Sequence, residues 1–324
     1  MFSSAFSTVT GLLDRRFVLG LLLPVLAFWA GVGALAATAY GWSRTNSWWQ
    51  HLDTSRHVAL TLAAVAGLVF MAIVLGTQVV PMTRILEGYW SWRWIDETAG
   101  RFGRHRQAQR RARLQKNTSP MGYLREYLAF APAELGLLMP TRLGNALRAA
   151  ESYPGDNERW GLDAVFWWPR LYLVLPDTAR DQVAESRSSM DQLVVLSVLS
   201  AAFAAVAIGF GIAGLASLVW VLCAVGGVIL ARLSYLAAVA SAAVFGDLVR
   251  SCFDLFRGDL LTHLGWQMPD TLPDERALWI ALGQQLYRRS ASSASQDLVN
   301  TPRPRPAPSA GADPGAAAAH PDPL

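Results

Sequence analysis

The sequence predicts an all-α, polytopic membrane protein: four transmembrane helices in two hairpins, with a mainly helical cytoplasmic module. Three observations predict it. Four long uncharged stretches fall into two closely spaced pairs, 17–42 with 58–80 and 192–210 with 214–231. A helix rising 1.5 Å per residue needs ~20 apolar residues to cross ~30 Å of hydrocarbon, and these stretches come close to that length. Hydrophobic residues make up 52% of the chain against 16% charged, and the apolar excess is clustered in those stretches. The cations are distributed one-sidedly between the connecting segments.

The first stretch follows Arg15 and Arg16. Arg15-Arg16-Phe17-Val18-Leu19 resembles a twin-arginine export signal, and Ala34-Leu35-Ala36 a cleavage site. The stretch is longer than the ~7–15 residues of a signal core, and three more follow, so it reads as an anchor. The connector 43–57 carries only Arg44 and Arg56, whereas Arg84, Arg93 and the basic run beyond them follow the second stretch. Because Lys and Arg stay inside, both termini and the central segment are expected in the cytoplasm of a bacterial inner membrane, with 43–57 and the turn 211–214 outside. Trp42, Trp48 and Trp49 at one end, and Tyr89, Trp90, Trp92 and Trp94 at the other, match the two aromatic belts.

Pro81 is expected to close the second span, with 82–115 continuing as helix on the spacing of Leu86, Trp90 and Trp94. Arg101, Arg104, Arg106, Arg110, Arg111, Arg113 and Lys116 then form a run of seven cations without an acid. Near an anionic leaflet each is worth ~1 kcal/mol, which makes the run a lipid-headgroup surface. The plainer alternative is a solvated helix that enforces topology. Nucleic acid is disfavoured as a partner, because no aromatic residue between Arg104 and Lys116 offers a base a stacking face.

Residues 121–190 have the composition of a small folded module. Thr141 is expected to cap a helix over 142–152 that sets Leu143 and Leu147 on one face. Segment 161–176 is apolar but too short and interrupted to span; it packs in a core or lies in the interface, and its Trp and Tyr content favours the interface. Asp177 caps a helix leading into the third span. Arg142, Asn145, Arg148, Glu151, Arg159 and Asp163 make the densest polar cluster, either a site or an ion-paired helix surface.

In the second hairpin, Ala205, Gly209 and Ala213 repeat at spacing four, as do Ala59, Ala63 and Gly67 in the first. Such faces let helices approach closely in lipid and imply tight bundle or homo-oligomer packing. Arg232 marks the inner boundary by snorkelling; its alternative is a buried charge lining a polar path. A fifth crossing over 233–245 would place Arg250, Arg257, Arg276, Arg288 and Arg289 outside, so the fourth helix extends into the cytoplasm instead, with Asp247, Arg250, Asp254 and Arg257 as a charged stripe. A last helix spans 273–289, with Asp274 and Glu275 in its first turn and Arg288 and Arg289 in its last. The Ala/Pro-rich stretch beyond it reads as a disordered tail, with 301–306 as a possible polyproline ligand. The resulting units are 1–80, 81–190, 191–264, 265–290 and 291–324.

Pro140-Thr141-Arg142-Leu143-Gly144-Asn145, Trp168-Pro169-Arg170-Leu171 and Phe253-Asp254-Leu255-Phe256-Arg257 together resemble bacterial multi-pass membrane proteins of no known activity. The resemblance implies a bacterial origin and no mechanism.

No catalytic, cofactor or metal signature stands out. The histidines are scattered, there is no Walker loop or dinucleotide fingerprint, and the span serines lack a His or Lys partner. Cys223 and Cys252 read as free thiols. The expectation is therefore a non-enzymatic, cofactor-free scaffold or sensor whose module binds anionic lipid or a protein partner. An oligomeric channel or transporter with Arg232 near its inner mouth is the alternative, weakened by spans that lack path-lining polar residues. A membrane-bound enzyme ranks last.

Overall fold

The computed structural model describes residues 18–116, 119–131, 138–156, 159–212 and 218–288. Arg15, Arg16, Ala213, Gly214, Arg289, the tail 291–324 and its 301–306 motif lie outside the described residues. Within them the chain is helical and has no strand. We number the helices α1 (Leu23–Tyr40), α2 (Trp42–Gln50), α3 (Thr54–Thr77), α4 (Val79–Glu87), α5 (Arg101–Gln115), α6 (Pro120–Ala129), α7 (Arg142–Ser152), α8 (Ala164–Val174), α9 (Asp177–Phe210), α10 (Leu218–His263) and α11 (Leu272–Gly283). Four are long and apolar enough to cross a membrane: α1 with the turn before it, α3, α9 and α10.

The pair α9 and α10 is the axis of the molecule. Their backbones approach closely because the facing residues are small. A Cβ added at Gly227 would lie 3.0 Å from the Ala204 Cβ and 3.1 Å from the Ser200 carbonyl oxygen. Ser197 Oγ donates to the Ala231 carbonyl at 3.0 Å. The packed face is thus Ser197, Ser200, Ala204 and Ala207, all buried, and not the Ala205 face that the spacing suggested. Ala205 is exposed, and a Cβ at Gly209 or Gly67 meets nothing within 4 Å. By contrast, α3 buries only Ala72.

Two departures from the expected helices come from glycine and proline chemistry. The second apolar helix ends at Thr77, and Pro81 sits in the first turn of α4, where its missing N–H costs no hydrogen bond. Helix does not continue through 82–115, because Gly88 adopts φ +99° and its N–H caps the Arg84 and Ile85 carbonyls. The chain resumes helix only at Arg93.

Segment 161–176 supplies the core of the helical module. Trp167, Leu171 and Leu175, spaced four apart on and just after α8, are buried with Phe253, Leu261, Trp279 and Leu282. The Trp167 and Trp279 rings meet edge to face at 5.0 Å. One face thus packs in a core, the first of the two placements expected for this segment: a run apolar all round hides which face is buried, and the outer face, with Val165 and Leu173, stays exposed. Burying each of these large side chains contributes about 2–3 kcal/mol.

A second cluster joins α7 to the axis through Leu143, Ala146, Met190, Val194, Ala238 and Ala242. Beside it the chain is knitted at Pro140 and Thr141. The Thr141 hydroxyl donates to the Glu87 carbonyl at 2.7 Å and accepts from Gly144 N at 3.0 Å, capping α7 as its sequence predicts. The contact depends on missing side chains: a Cβ would fall 2.2 Å from the Glu87 oxygen at Gly144 and 2.6 Å from the Pro140 oxygen at Gly103. This knot seats α4, α5 and α7 against one another. It also builds the wall of the site below.

Candidate functional site: an arginine-lined cavity

On α5, Arg106, Arg110 and Arg113 recur at i, i+4 and i+7, so 100° per residue gathers them on one face. Arg104 and Arg111 fall on the opposite side. There each finds an acid: Arg104 pairs with Asp96 at 2.8 Å and Arg111 with Glu126 at 3.4 Å. The Arg106 face instead borders a cavity of about 450 Å³, whose far walls are Pro140 to Arg142 and, from α10, Arg232 and Tyr235. Among the described residues, five guanidiniums and no carboxylate line it. Among the described residues none of the five has an ion pair or a hydrogen-bond partner, although Arg106 lies over the Phe102 ring, Arg110 over Phe130 and Arg232 over Tyr235.

Like charges gathered without counter-charge repel, and a half-buried one loses hydration as well. Burial first, and the neighbouring Arg142 second, hold the Arg110 guanidinium below its ordinary range. An anion would relieve both costs. The planar fork of arginine matches phosphate and carboxylate in pairs of parallel N–H bonds. Gln107 in the same wall is 8% exposed, and its Oε1 has no partner.

Among the described residues the lining holds no histidine, cysteine or carboxylate, and its hydroxyl groups are those of Thr141 and Tyr235. Thr141 is bound in the α4–α7 knot, and the Tyr235 oxygen accepts from Leu143 N at 3.4 Å. By its chemistry such a lining, rich in guanidinium donors, suits an anion.

The cavity collects some of the residues singled out from sequence and leaves others apart. Arg106, Arg110, Arg113, Arg142 and Arg232 meet in it. Arg101 is exposed on α5, and Lys116 ends that helix as its C-cap. The polar cluster beyond Arg142 is dispersed. Asn145 is buried and brackets the preceding loop, donating to the Met139 and Thr141 carbonyls at 2.8 and 2.7 Å and accepting from Met139 N at 2.9 Å. Arg148 and Glu151 form a surface pair at 3.1 Å. Asp163 caps α8, accepting from the backbone N–H of Val165 and Phe166.

Arg159 belongs to a second, smaller cavity of about 240 Å³, on the far side of α5, with Arg111, Glu126, Asp156 and Arg250. Arg159 donates to the Tyr153 hydroxyl at 2.7 Å, which donates in turn to Asp254 at 2.9 Å. Burial and the Asp254 carboxylate hold the Tyr153 phenol well above its usual range, so it stays a donor. In the stripe Asp247, Arg250, Asp254, Arg257 the two acids are exposed, while the arginines pack inward. Arg250 is 2% exposed and lies over the Tyr127 ring at 4.1 Å, and Arg257 pairs with Glu275 at 2.9 Å.

Sequence reasoning missed Phe102, Gln107 and Tyr235 in the first cavity, and Arg250 in the second. The i, i+4, i+7 spacing of Arg106, Arg110 and Arg113 was available as a signal. Nothing local announces that Arg232, 90 positions beyond Arg142, closes the same space.

No family model, curated protein or solved structure matches the chain.

Proposed function

We propose that the chain is a multi-pass membrane protein of the bacterial inner membrane, crossing four times, whose cytoplasmic module binds the phosphate of an anionic lipid headgroup in the arginine-lined cavity. It is a scaffold or sensor of that lipid. The observation that carries this reading is the set of five arginines that, among the described residues, have no acid and no hydrogen-bond partner. The placement supports it too, because Arg232 follows directly on the uncharged half of α10 and so belongs at headgroup depth when that half spans the bilayer. Positive-inside counting puts the same arginines on the cytoplasmic side, where the leaflet is anionic.

The test is lipid retention by the full chain in nanodiscs of phosphatidylcholine doped with phosphatidylglycerol. Neutralising Arg106, Arg110 and Arg113 together should lower enrichment of the anionic lipid about a hundredfold, at ~1 kcal/mol for each. Enrichment that survives the triple change would send the basic face back to a topological role. The orientation has its own check: a membrane-impermeant thiol reagent that reaches a cysteine placed at Gly122 in intact cells would overturn it.

A further inference from the structure

Resting on that reading, we infer that the cavity takes a lipid carrying two phosphates, with its acyl chains laid along the face of α10 formed by Val221, Val225 and Val228. Neither a singly charged lipid nor a free anion fits as well.

Charge and reach argue for two phosphates. One phosphodiester offsets a single charge and would leave four of the five guanidiniums unmatched. Arg106 and Arg113 are seven residues apart on α5, about 10 Å along the axis, so two phosphates match the length of the row without both ends having to converge on one. The cavity, about 450 Å³, equals about fifteen water volumes at ~30 Å³ each, ample for two phosphates and the group that links them. Gln107, buried with an unpartnered Oε1, offers an acceptor to a linking hydroxyl.

The path of the chains follows from helix phase. Val221, Val225, Val228, Arg232 and Tyr235 stand at i, i+4, i+7, i+11 and i+14 on α10, one continuous face. The three valines are 57%, 50% and 54% exposed. Read down the helix, the face is apolar, then cationic, then part of the cavity wall, the order of chain and headgroup in a phospholipid. Val221 to Arg232 spans eleven residues, about 16 Å, or half of the ~30 Å hydrocarbon layer and so one leaflet. A soluble anion would have no use for that strip.

The experiment loads full-length protein in nanodiscs with cardiolipin or phosphatidylglycerol at equal phosphate content, delipidates it in stages and reads retained lipid by native mass spectrometry. Soluble pyrophosphate serves as competitor. Cardiolipin should be retained about tenfold better per phosphate, pyrophosphate should fail to displace it, and Val225→Asn should lower cardiolipin retention without changing pyrophosphate binding. The wild-type comparison stands even if the variant folds poorly. Equal retention per phosphate would overturn the two-phosphate inference while leaving the anionic-lipid reading intact. Displacement by pyrophosphate, with Val225→Asn indifferent, would identify a soluble ligand and also overturn it. No enrichment of either lipid over phosphatidylcholine would remove the anionic-lipid reading itself.

Discussion

Arg110 and Arg111 are neighbours in sequence and opposites in circumstance. Both guanidiniums lie over the Phe130 ring, at 5.7 and 5.8 Å, yet they open onto different cavities. Arg111 faces Glu126 in a space that also holds Asp156, Arg159 and Arg250. Arg110 faces four more arginines. One step of 100° around α5 separates a space where three arginines meet two acids, with Arg250 held by the Tyr127 carbonyl and its Nε and Nη1 unpartnered, from one where five arginines meet no acid among the described residues. A cation without an acid inside a folded module is a better pointer to a ligand than a cation count along the chain.

Substitutions of paired and of acid-free arginines should behave oppositely, and the largest effect belongs to an ion pair outside both cavities. Arg257→Met would strip the partner from Glu275, whose side chain is 7% exposed, and should cost about 3–5 kcal/mol in chemical denaturation. A loss below about 1 kcal/mol would show that this seam does not hold α11 to α10. Gly144→Ala comes next: its methyl must push the Glu87 carbonyl away, costing about 1–3 kcal/mol and opening the wall of the acid-free cavity, so melting temperature and lipid retention should fall together. If the melting point alone moves, the wall does not shape the site.

Arg110→Gln should weaken anionic-lipid retention about fivefold and leave stability unchanged or slightly raised, because it removes repulsion from Arg142. A destabilised variant would place Arg110 with the paired set. The smallest effect is expected for Arg111→Gln, a loss of at most about 1 kcal/mol in denaturation with retention unaltered. If it weakens retention as Arg110→Gln does, the distinction between the two cavities collapses.

Those contrasts mark where the sequence could be read. The four apolar helices were legible because length and lack of charge are local properties, and so were the Thr141 cap and the acidic first turn of α11. The break at Gly88 was not, since a left-handed C-cap shows only in the backbone angle that one glycine adopts. Burial along α8 was obscured because Val165, Trp167, Leu171 and Leu173 are all apolar, and only packing distinguishes them. The site was half legible: a basic face is periodic, but Arg142 and Arg232 join it only through the packing of Leu143 and Ala146 on Ala238 and Ala242. The burial of Arg250 within its charged stripe was not legible, because it depends on Tyr127 and Tyr153, about a hundred positions away.

The 46 residues of α10 form one uninterrupted helix, about 69 Å from end to end. That single rod carries the valine strip and Arg232 near one end, and Phe253, Arg257 and Leu261 near the other. A helix in a bilayer adjusts its inclination to the local thickness of the hydrocarbon. Were its apolar half to span a bilayer, a change of about 5° would swing the His263 end by about 6 Å and carry with it Phe253 and Leu261, which pack with Trp279.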